Sequence, residues 1–316
     1  MRAVITGCAG FIGSHLTERV LSTGGSVVGI DQFTPTYDTA RRRLRVHDLA
    51  QGSEFEFIEG DIQTVDLNSL LLDADVVFHL AARAGVRASW SEFAKVDATN
   101  VLGTQRVLDA VRGGSTLLVF ASSSSVYGSS EKYPTDEDQK LAPISPYGVT
   151  KAACEALIEV YVSQFHVRAV TLRYFTVYGP RQRSDMAFTR WITRALRNEP
   201  LPILGDGTAV RDFTYVDDVV TATMAAAFSE TRGHEVFNVA GGSPVSVNDV
   251  IGEIERIIGR SVTIARLRTS EGDPHRTGGS TERIRRALGW EPKWTLAEGL
   301  KQQVAWLRGG VDRGEL

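Results

Sequence analysis

The sequence places a tyrosine and a lysine at a spacing that suits acid–base chemistry. Tyr147 and Lys151 follow Ser145-Pro146, in which the serine is typical of a helix cap and the proline of the first helical position. On such a helix the two side chains lie one turn apart on the same face. A free tyrosine has a pKa near ~10, so acting as a base near neutral pH requires roughly 4 kcal/mol of stabilisation of its phenolate.

Hydroxyl groups are expected at the same place. The run Ser122, Ser123, Ser124 and Ser125 follows the fifth apolar segment of the chain, so these side chains emerge at the carboxyl edge of the predicted sheet. This is the edge at which Tyr147 and Lys151 are also expected. The alternative is that the run is a simple polar turn.

A glycine-rich loop indicates a second ligand. Gly7, Gly10 and Gly13 form a GxxGxxG pattern directly after the first apolar run and directly before a helical pattern, with Phe11 and Ile12 at the helix start. Glycines allow the backbone to approach a pyrophosphate, and the free amides of a helix start favour negative charge. The pattern predicts dinucleotide binding.

Two carboxylates support this prediction. Asp31 ends the second predicted strand, 18 residues beyond Gly13, close to the spacing of the acid that binds the ribose hydroxyls. An acid there repels a 2′-phosphate, so NAD is favoured over NADP, although the basic run Arg41–Arg45 stands nearby. We interpret that run as a solvated helix face. Asp61-Ile62, after the third strand, is placed to meet the adenine, or to cap a helix.

A bound dinucleotide would complete the acid–base pair. A cation about 5 Å from the phenol, at an effective dielectric of about 20, contributes roughly 3 kcal/mol. Lys151 and an oxidised nicotinamide ring would together exceed the requirement of Tyr147. We therefore predict a general base at Tyr147. The alternative is a surface helix on which Tyr147 and Lys151 are only neighbours.

The elements that position these residues are predicted from hydrophobic patterns. Runs that are apolar throughout are typical of strands buried on both faces. They lie at Ala3–Ile5, Val27–Ile30, Phe55–Ile58, Val76–Leu80, Leu117–Phe120 and Ala169–Leu172, with a late candidate at Phe237–Val239. Helical patterns separate them, as at Ser14–Leu21 and Asn100–Val111. This alternation predicts an α/β fold with a doubly wound parallel sheet.

The pattern changes after Thr176, where prolines and glycines cluster. Ser246–Asp249 and Thr295–Glu298 are Ser/Thr-x-x-acid patterns that predict helix starts. We expect residues 1–176 to form a Rossmann domain that binds NAD, with a returning segment around 214–240. Residues 177–316 are expected to form mainly a smaller mixed α/β domain for the substrate, packed over the carboxyl ends of the strands, where ligands lie in open α/β sheets.

Composition excludes several classes of protein. The 316 residues are 42% hydrophobic and 23% charged, which excludes disordered, collagen-like and disulfide-stapled chains. A net charge of −3 gives no electrostatic case for nucleic acid or an acidic membrane. Cys8 and Cys154 are expected to be reduced thiols, and no signal peptide or membrane span is predicted, so we expect a cytoplasmic protein. The six histidines are scattered without a metal-binding pattern, so no metal is expected.

Taken together, the motifs resemble those of the extended short-chain dehydrogenases/reductases, in the nucleotide-sugar epimerase and dehydratase group. The matching residues, which span nearly the whole chain, are Gly7, Gly10, Gly13, Asp31, Asp61, His79-Leu80-Ala81-Ala82, Asn100–Thr104, the serine run, Tyr147, Lys151 and Arg211-Asp212-Phe213. Within the group the chain most resembles the UDP-glucuronate 4-epimerases, through Ala84–Arg87, Arg173–Arg181 and Arg183–Ala187. The family more often has proline where Ser184 stands.

The resemblance implies a reaction and a set of contacts. Tyr147 would remove the proton of the sugar 4-hydroxyl with Ser123 on the same oxygen, hydride would pass from C4 to NAD, and the transient 4-keto sugar would receive it back on its other face. Leu80, Ala81 and Ala82 would join the NAD site. The residues implied for the UDP-sugar are Arg87, Ser123, Ser124, Ser125, Tyr147, Thr176, Arg183, Arg211 for the diphosphate and Asp273 for the uridine ribose.

Alternatives remain at this point. Relatives that eliminate water or decarboxylate generally carry acids just before the Val-Tyr-Gly segment, where this chain has Ser124 and Ser125. This favours 4-epimerisation of UDP-glucuronic acid to UDP-galacturonic acid, with Arg183 presenting a planar fork to the sugar carboxylate. Arg181 and Arg183 could instead be solvated or contact the diphosphate. Other readings are a UDP-glucose 4-epimerase, a UDP-glucuronate decarboxylase or sugar dehydratase, and a non-catalytic dinucleotide sensor.

The resemblance also implies a homodimer. Its interface would involve the helices near Asn100–Val111 and Tyr147–Gln164. Leu157, Val160 and Tyr161 would be buried there, or equally within the core of one chain.

Overall fold

The computed structural model describes residues 1–34, 38–130, 132–268, 272 and 274–312. Its strands are β1 (Arg2–Thr6), β2 (Ser26–Asp31), β3 (Phe55–Glu59), β4 (Val76–His79), β5 (Leu117–Ser123), β6 (Arg168–Tyr174), β7 (Val177–Tyr178), β8 (Leu201–Leu204), β9 (Val210–Arg211), β10 (Thr214–Tyr215), β11 (His234–Val239), β12 (Val245–Ser246) and β13 (Ile264–Leu267).

Helices alternate with these strands. They are α1 (Phe11–Ser22), α2 (Thr39–Leu49), α3 (Leu67–Leu71), α4 (Ala88–Ser91), α5 (Phe93–Asp97), α6 (Gly103–Val111), α7 (Pro146–Phe165), α8 (Ala187–Leu196), α9 (Val216–Ala226), α10 (Val247–Ile258), α11 (Glu282–Leu288) and α12 (Leu296–Asp312). A π-helical turn spans Ala98–Leu102 and a 3-10 turn spans Ser124–Val126.

Seven parallel strands of the described chain form the central sheet, in the order β11-β6-β5-β4-β1-β2-β3. The predicted doubly wound sheet is confirmed, and so is the late strand, since β11 pairs with β6. Strand order reverses between β1 and β4. The crevice at such a switch point, beyond the carboxyl ends of the strands, is where ligands bind.

The strands are apolar throughout because both faces of the sheet are covered. In β1, Ala3 and Ile5 belong to one hydrophobic cluster while Val4 belongs to the cluster on the other face. β5 alternates in the same way, with Val119 in the first cluster and Phe120 in the second. The alternation follows from the period-2 geometry of a strand.

Three small two-stranded sheets, β7 with β10, β8 with β13 and β9 with β12, accompany the helices of the later half. Phe188, Trp191 and Leu300 from α8 and α12 join the same hydrophobic cluster as β1. The two predicted helix starts are confirmed. Ser246 and Asp249 form a capping box, and the Thr295 hydroxyl accepts a hydrogen bond from the Glu298 N–H at 3.3 Å.

One predicted helix differs in detail. The segment predicted as a regular helix from Asn100 to Val111 begins as the π-helical turn and becomes α-helical at Gly103. π-Helical turns at or within α-helices are frequent at functional sites, because they free a backbone carbonyl from the regular hydrogen bonds of the α-helix. None of the helices in the described ranges is both long and apolar enough to cross a bilayer.

Candidate active site

Helix α7 carries the predicted acid–base pair. The Ser145 hydroxyl caps it by accepting a hydrogen bond from the Gly148 N–H at 3.1 Å, with Pro146 in the first turn, as predicted. Lys151 is buried, and its Nζ donates to the carbonyl of Ala121 in β5 at 2.7 Å. This bond fixes the side of α7 that faces the carboxyl end of β5.

The protonation of the pair is dominated by burial. Burial raises the pKa of Tyr147 to about 12, and hydrogen bonding by Ser123 and the charge of Arg183 oppose that rise. Burial also lowers the pKa of Lys151, against the influence of Cys154 and Glu155. In the described part of the chain, burial therefore favours the protonated phenol of Tyr147.

The serine run is divided between two tasks. Ser123 Oγ accepts a hydrogen bond from the Ser125 N–H at 3.1 Å and donates to Ser125 Oγ at 3.1 Å, which starts the 3-10 turn. Ser123, Ser124 and Ser125 remain partly exposed, whereas Ser122 is buried and donates to Glu155. Of these three partly exposed serines, Ser123 hydrogen-bonds the phenol of Tyr147. The serine run therefore forms a turn and also carries hydroxyl groups that can donate hydrogen bonds.

The glycine loop has the geometry of a cradle. Gly7 has a φ of +74°, and a Cβ there would lie 2.9 Å from the Ala81 nitrogen. A Cβ at Gly13 would lie 2.1 Å from the Gly7 carbonyl oxygen. Among the described residues, no side chain caps the start of α1 at Gly10. The first amides of the helix are therefore accessible to an anion, which fits the pyrophosphate of a dinucleotide.

Asp31 stands at the end of β2 beside this loop. Its carboxylate accepts hydrogen bonds from the backbone N–H groups of Ala9 at 3.2 Å and Phe33 at 2.8 Å. It also forms an ion pair with Arg42 at 2.8 Å, and both side chains are buried. The interpretation of Arg41–Arg45 as a solvated face is therefore wrong at Arg42. Its spacing places it on the inner side of α2, where it neutralises the buried carboxylate.

The remaining residues predicted for the cofactor lie along the same edge. Ala81, between Leu80 and Ala82, donates its N–H to Thr6 Oγ1 at 3.1 Å, which holds this segment against β1. Asp61 accepts from the Gln63 N–H at 2.9 Å, so it caps a turn after β3, and Ile62 is buried against Gly103. Leu80–Ala82 follow β4 at the switch point, whereas Asp61 and Ile62 follow β3 at the edge of the sheet.

Two arginines after β7 have different surroundings. Arg183 donates to the Ala84 carbonyl at 2.7 Å, forms a two-point pair with Asp185, and lowers the pKa of Tyr147 through its charge. Arg181 instead binds Glu18 of α1 at 2.8 Å. Arg183 is thus close to the acid–base pair, whereas Arg181 serves the contact between this loop and α1.

The other predicted substrate residues are more dispersed. Arg87 is exposed and precedes α4, and Thr176 is partly buried between β6 and β7. Arg211, in β9, donates to the carbonyls of Val210 at 2.8 Å and His275 at 3.1 Å. Asp273 lies outside the described residues.

Sequence reasoning gave no role to several residues that surround the pair. Asn100, in the π-helical turn, accepts from the Arg83 N–H at 2.8 Å and donates to Thr150 Oγ1 at 3.0 Å, which ties the segment after β4 to α7. Glu155 and Arg173 form a buried ion pair at 2.7 Å behind the serine run. Their spacing along the chain gives no signal of this contact. The sign of this ion pair in the sequence is that Glu155 and Arg173 are charged residues within otherwise apolar segments.

No group of three histidine, cysteine, aspartate or glutamate side chains is arranged to hold a metal ion in the described part of the chain. His79 is buried between the hydroxyls of Thr6 at 2.7 Å and Thr104 at 3.0 Å. Burial lowers its pKa to about 3, so it is neutral in the folded protein.

Comparisons with known proteins agree with this geometry. The family model described as GDP-mannose 4,6 dehydratase matches residues 4–303. An uncharacterized UDP-glucose epimerase of Bacillus subtilis is 41% identical, over 97% of this chain and 98% of its own. A UDP-glucuronate 4-epimerase of Thermodesulfobacterium geofontis is 36% identical, over 98% of this chain and 97% of its own.

A solved structure is similar over the same extent. The crystal structure of UDP-glucuronic acid 4-epimerase from Bacillus cereus, in complex with UDP-glucuronic acid and NAD, superposes with a TM-score of 0.94. It is 41% identical in sequence, and the match covers 98% of this chain and 99% of that one.

Proposed function

The chain belongs to the GDP-mannose 4,6-dehydratase family of extended short-chain dehydrogenases/reductases, and on that premise we propose that it is an NAD-dependent 4-epimerase. Its reaction converts UDP-glucuronic acid to UDP-galacturonic acid through a transient 4-keto intermediate. The observation that carries the proposal is the arrangement around Tyr147: Ser123 hydrogen-bonds its phenol, the charge of Arg183 acts on it, Lys151 lies one turn further along α7, and no acid stands just before Val126.

The NAD site is assigned to the crevice beside β1. The amides that start α1 would bind the pyrophosphate, Asp31 the adenosine ribose, and Asp61 and Ile62 the adenine end. Bound NAD supplies a hydride acceptor and a positive charge at its nicotinamide. Lys151 and Tyr147 would lie against the nicotinamide end. The glycine loop fits this cofactor, since its crowded backbone leaves no room for side chains at Gly7 and Gly13.

The chain's own residues then handle the proton and the sugar. Tyr147, once its phenol is ionised, takes the proton of the 4-hydroxyl, and Ser123 hydrogen-bonds the same oxygen. Lys151, held on the Ala121 carbonyl, keeps a positive charge near the phenolate. Arg183 binds the C5 carboxylate as a planar fork, with Ser124, Ser125 and Thr176 as neutral donors. Arg87, Arg211 and Asp273 are assigned to the nucleotide end.

Epimerisation is favoured over decarboxylation and dehydration because the sequence has no acidic residue just before the Val-Tyr-Gly segment. A 4-keto uronic acid is a β-keto acid that tends to lose carbon dioxide, and dehydration requires a carboxylate base. Ser124 and Ser125 cannot act as that base. A non-catalytic dinucleotide sensor would have no need of Tyr147, Lys151 and Ser123 together.

A UDP-glucose 4-epimerase is the second candidate. Asp185 compensates the charge of Arg183, so a neutral hexose could enter without leaving a bare guanidinium. The 41% identical Bacillus subtilis relative is named a UDP-glucose epimerase. The same catalytic residues would serve either sugar.

Incubation of the purified protein with UDP-glucuronic acid, followed by chromatography and detection of carbon dioxide, tests the proposal. UDP-galacturonic acid without gas is the expected result, and gas or a pentose product would assign a decarboxylase instead. Tyr147→Phe should lower kcat by about 10³-fold or more while NAD stays bound, because the general base is lost. Inertness toward all UDP-sugars, with NAD bound, would indicate a sensor.

We also infer the setting of the enzyme. Residues 1–176, with the returning segment 214–240, form the NAD domain, and 177–316 mainly form the UDP-sugar domain. The protein acts in the cytoplasm, in keeping with two free, buried cysteines. It forms a homodimer through the segment Asn100–Val111 and α7, where Leu102, Val149 and Val160 are about half exposed. Tyr161 of α7 is buried and bonds Asp109 at 2.7 Å.

A further inference from the structure

A row of polar side chains crosses the central sheet behind the serine run. Ser122 of β5 pairs in register with Arg173 of β6, and Arg173 pairs in register with Asn238 of β11. All three residues are buried. They lie near the carboxyl ends of their strands, in the layer beneath the candidate site.

Arg173 makes a close ion pair with α7. Its Nε donates to the two carboxylate oxygens of Glu155 at 3.1 and 3.2 Å, and its Nη2 donates at 2.7 Å. Each side chain is only 6% exposed. Ser122 Oγ donates to the same carboxylate. The amino-terminal end of the serine run is therefore bound to the Glu155–Arg173 pair.

The other end of the run is bound to the same guanidinium. Arg173 Nη1 donates to the Tyr127 hydroxyl at 2.8 Å, and Tyr127 in turn donates to Asn238 Oδ1 at 2.7 Å. Arg173 Nη1 also donates to the Glu137 carbonyl at 3.1 Å. One arginine thus holds Ser122 through Glu155 and Tyr127 directly, with Ser123, Ser124 and Ser125 between these two anchors.

The pair also sets the register between α7 and β5. Lys151 Nζ binds the Ala121 carbonyl at 2.7 Å, and Glu155, one turn further along α7, binds the next residue of β5, Ser122. Tyr147 lies one turn before Lys151 on the same helix. Two consecutive strand residues are thus fixed to two consecutive helical turns, adjacent to the place where Ser123 meets Tyr147.

Stability alone does not account for such a pair. Burying two charges carries a desolvation cost that commonly cancels the Coulombic gain, so apolar residues of similar volume would often stabilise a fold equally well. A fully hydrogen-bonded ion pair does fix distances and angles. Proton transfer depends on such distances and angles, since misplacing a catalytic group by about 1 Å can lower the rate ~10²-fold.

We propose that Glu155 and Arg173 are positioning residues of the epimerase, which hold the serine run at the distance from Tyr147 that proton transfer requires. The inference rests on the proposed function for its kinetic test. Neither residue touches the reacting atoms. They act through Ser122 and Tyr127, which fix the backbone on both sides of Ser123.

Steady-state kinetics of the holoenzyme provide the test. Ser122→Ala, Tyr127→Phe and Glu155→Gln each remove one link, and we expect kcat to fall about 10-fold or more while KM for the UDP-sugar and the NAD content stay within twofold. Arg173→Lys should not restore the geometry, because an ammonium cannot bind Glu155 and Tyr127 as a planar fork.

Matched controls remove buried hydroxyls elsewhere. Thr116→Val removes a hydroxyl bonded to the Ala74 carbonyl at 2.9 Å, near the amino-terminal end of β5, and Tyr174→Phe removes one bonded to Thr223 at 2.7 Å. Both should keep wild-type kcat. If Ser122→Ala and Tyr127→Phe also kept wild-type kcat, or lost NAD together with activity, the positioning role would be overturned. These two conservative variants decide the matter even if Glu155→Gln fails to fold.

Phenol titration separates this inference from the proposed function. The ultraviolet phenolate signal of Tyr147, taken in the NAD-bound protein as the difference from Tyr147→Phe, should move to higher pH in Ser122→Ala and Tyr127→Phe. The reason is that hydrogen bonding by Ser123 lowers the pKa of Tyr147. If the wild type converts no UDP-sugar, the proposed function fails, and the phenolate shift still tests the positioning. An unchanged titration in both variants would overturn it.

Discussion

At the scale of single residues, the site consists of groups whose charges depend on one another. The phenol of Tyr147 is made less acidic by burial and more acidic by Ser123 and Arg183. Arg183 is itself engaged by Asp185 and by the Ala84 carbonyl. The guanidinium of Arg183 acts on the pKa of Tyr147, and we propose that it also binds the carboxylate of the substrate.

Replacing Arg183 should separate the two candidate substrates. Arg183→Ala removes the planar fork, so kcat/KM for UDP-glucuronic acid should fall by roughly 10²-fold, since a charged hydrogen bond contributes about 1.5–3 kcal/mol. The loss with UDP-glucose should be much smaller. Steady-state kinetics with both sugars provide the measurement, and Arg181→Ala, which removes a contact to Glu18, is the matched control. Equal losses on both sugars would contradict a carboxylate role.

At the scale of elements, α1 and α2 organise the dinucleotide site from two sides. The start of α1 has no side-chain cap among the described residues. Arg42 of α2 forms a buried ion pair with Asp31. Arg42 also donates to the carbonyls of Ala9 at 3.2 Å and Thr34 at 3.1 Å. The glycine loop and Asp31 are therefore held by one side chain from a neighbouring helix.

Arg42→Met should weaken this site. Removing one partner of a buried ion pair commonly costs about 3–5 kcal/mol, because the other charge is left uncompensated. We expect a lower free energy of unfolding in urea and at least 10-fold weaker retention of NAD, measured by releasing and quantifying the cofactor. The control is Arg43→Met on the same helix, which breaks a half-exposed pair with Glu59 and should change either quantity little. Similar losses in the two variants would rule out a specific role for Arg42.

Contacts between elements also predict a pH dependence. His15 of α1 donates to the Pro180 carbonyl at 3.0 Å, and burial, aided by the charge of Arg181, lowers its pKa to about 4. The unfolded chain, with a histidine pKa near ~6.5, binds this proton more readily than the folded protein. Stability linked to His15 is therefore present above pH ~6.5 and is lost as the pH falls toward about 4.

His15→Gln should reduce the acid sensitivity of the fold. The wild-type contribution amounts to about 2 kcal/mol between pH 8 and pH 5, and glutamine retains a donor for Pro180 without titrating. Urea unfolding at the two pH values, with exposed His47→Gln as the control for losing an imidazole, measures the difference. An identical pH slope in wild type and His15→Gln would contradict the assignment.

At the scale of the whole molecule, one hydrophobic cluster runs from the central sheet into the helices of the later half. The loop after β7 lies against the segment after β4, where Arg183 donates to the Ala84 carbonyl at 2.7 Å. Apolar residues also remain on the outside of α7. Val149 and Val160 are 47% and 52% exposed and lie eleven residues apart, which is about three helical turns, so they share one face.

That face is expected to form the homodimer interface. Val160→Glu would place a charge in a desolvated contact, and we expect it to shift the dimer to monomer in light scattering coupled to size exclusion. Phe228→Glu, at a residue that is 69% exposed elsewhere on the surface, is the control and should leave the mass unchanged. A wild-type protein that is monomeric at micromolar concentration would contradict the expectation.

The sequence by itself determined the elements and the motifs carried on them. Apolar runs, the glycine loop and Ser145-Pro146 are local signals, because strand burial, close backbone approach and helix capping each depend on residues near in the chain. Those signals predicted the parallel sheet, the start of α7 and the common edge of Tyr147 and the serine run.

Tertiary structure decided which charges meet. Arg42 with Asp31, Arg181 with Glu18, and Glu155 with Arg173 are contacts across different elements, and no local spacing encodes them. Tertiary structure also set the protonation of Tyr147, because desolvation depends on everything packed around a group. The electrostatic environment of a side chain depends on every group near it in space, whereas the sequence shows only which residues are near it along the chain.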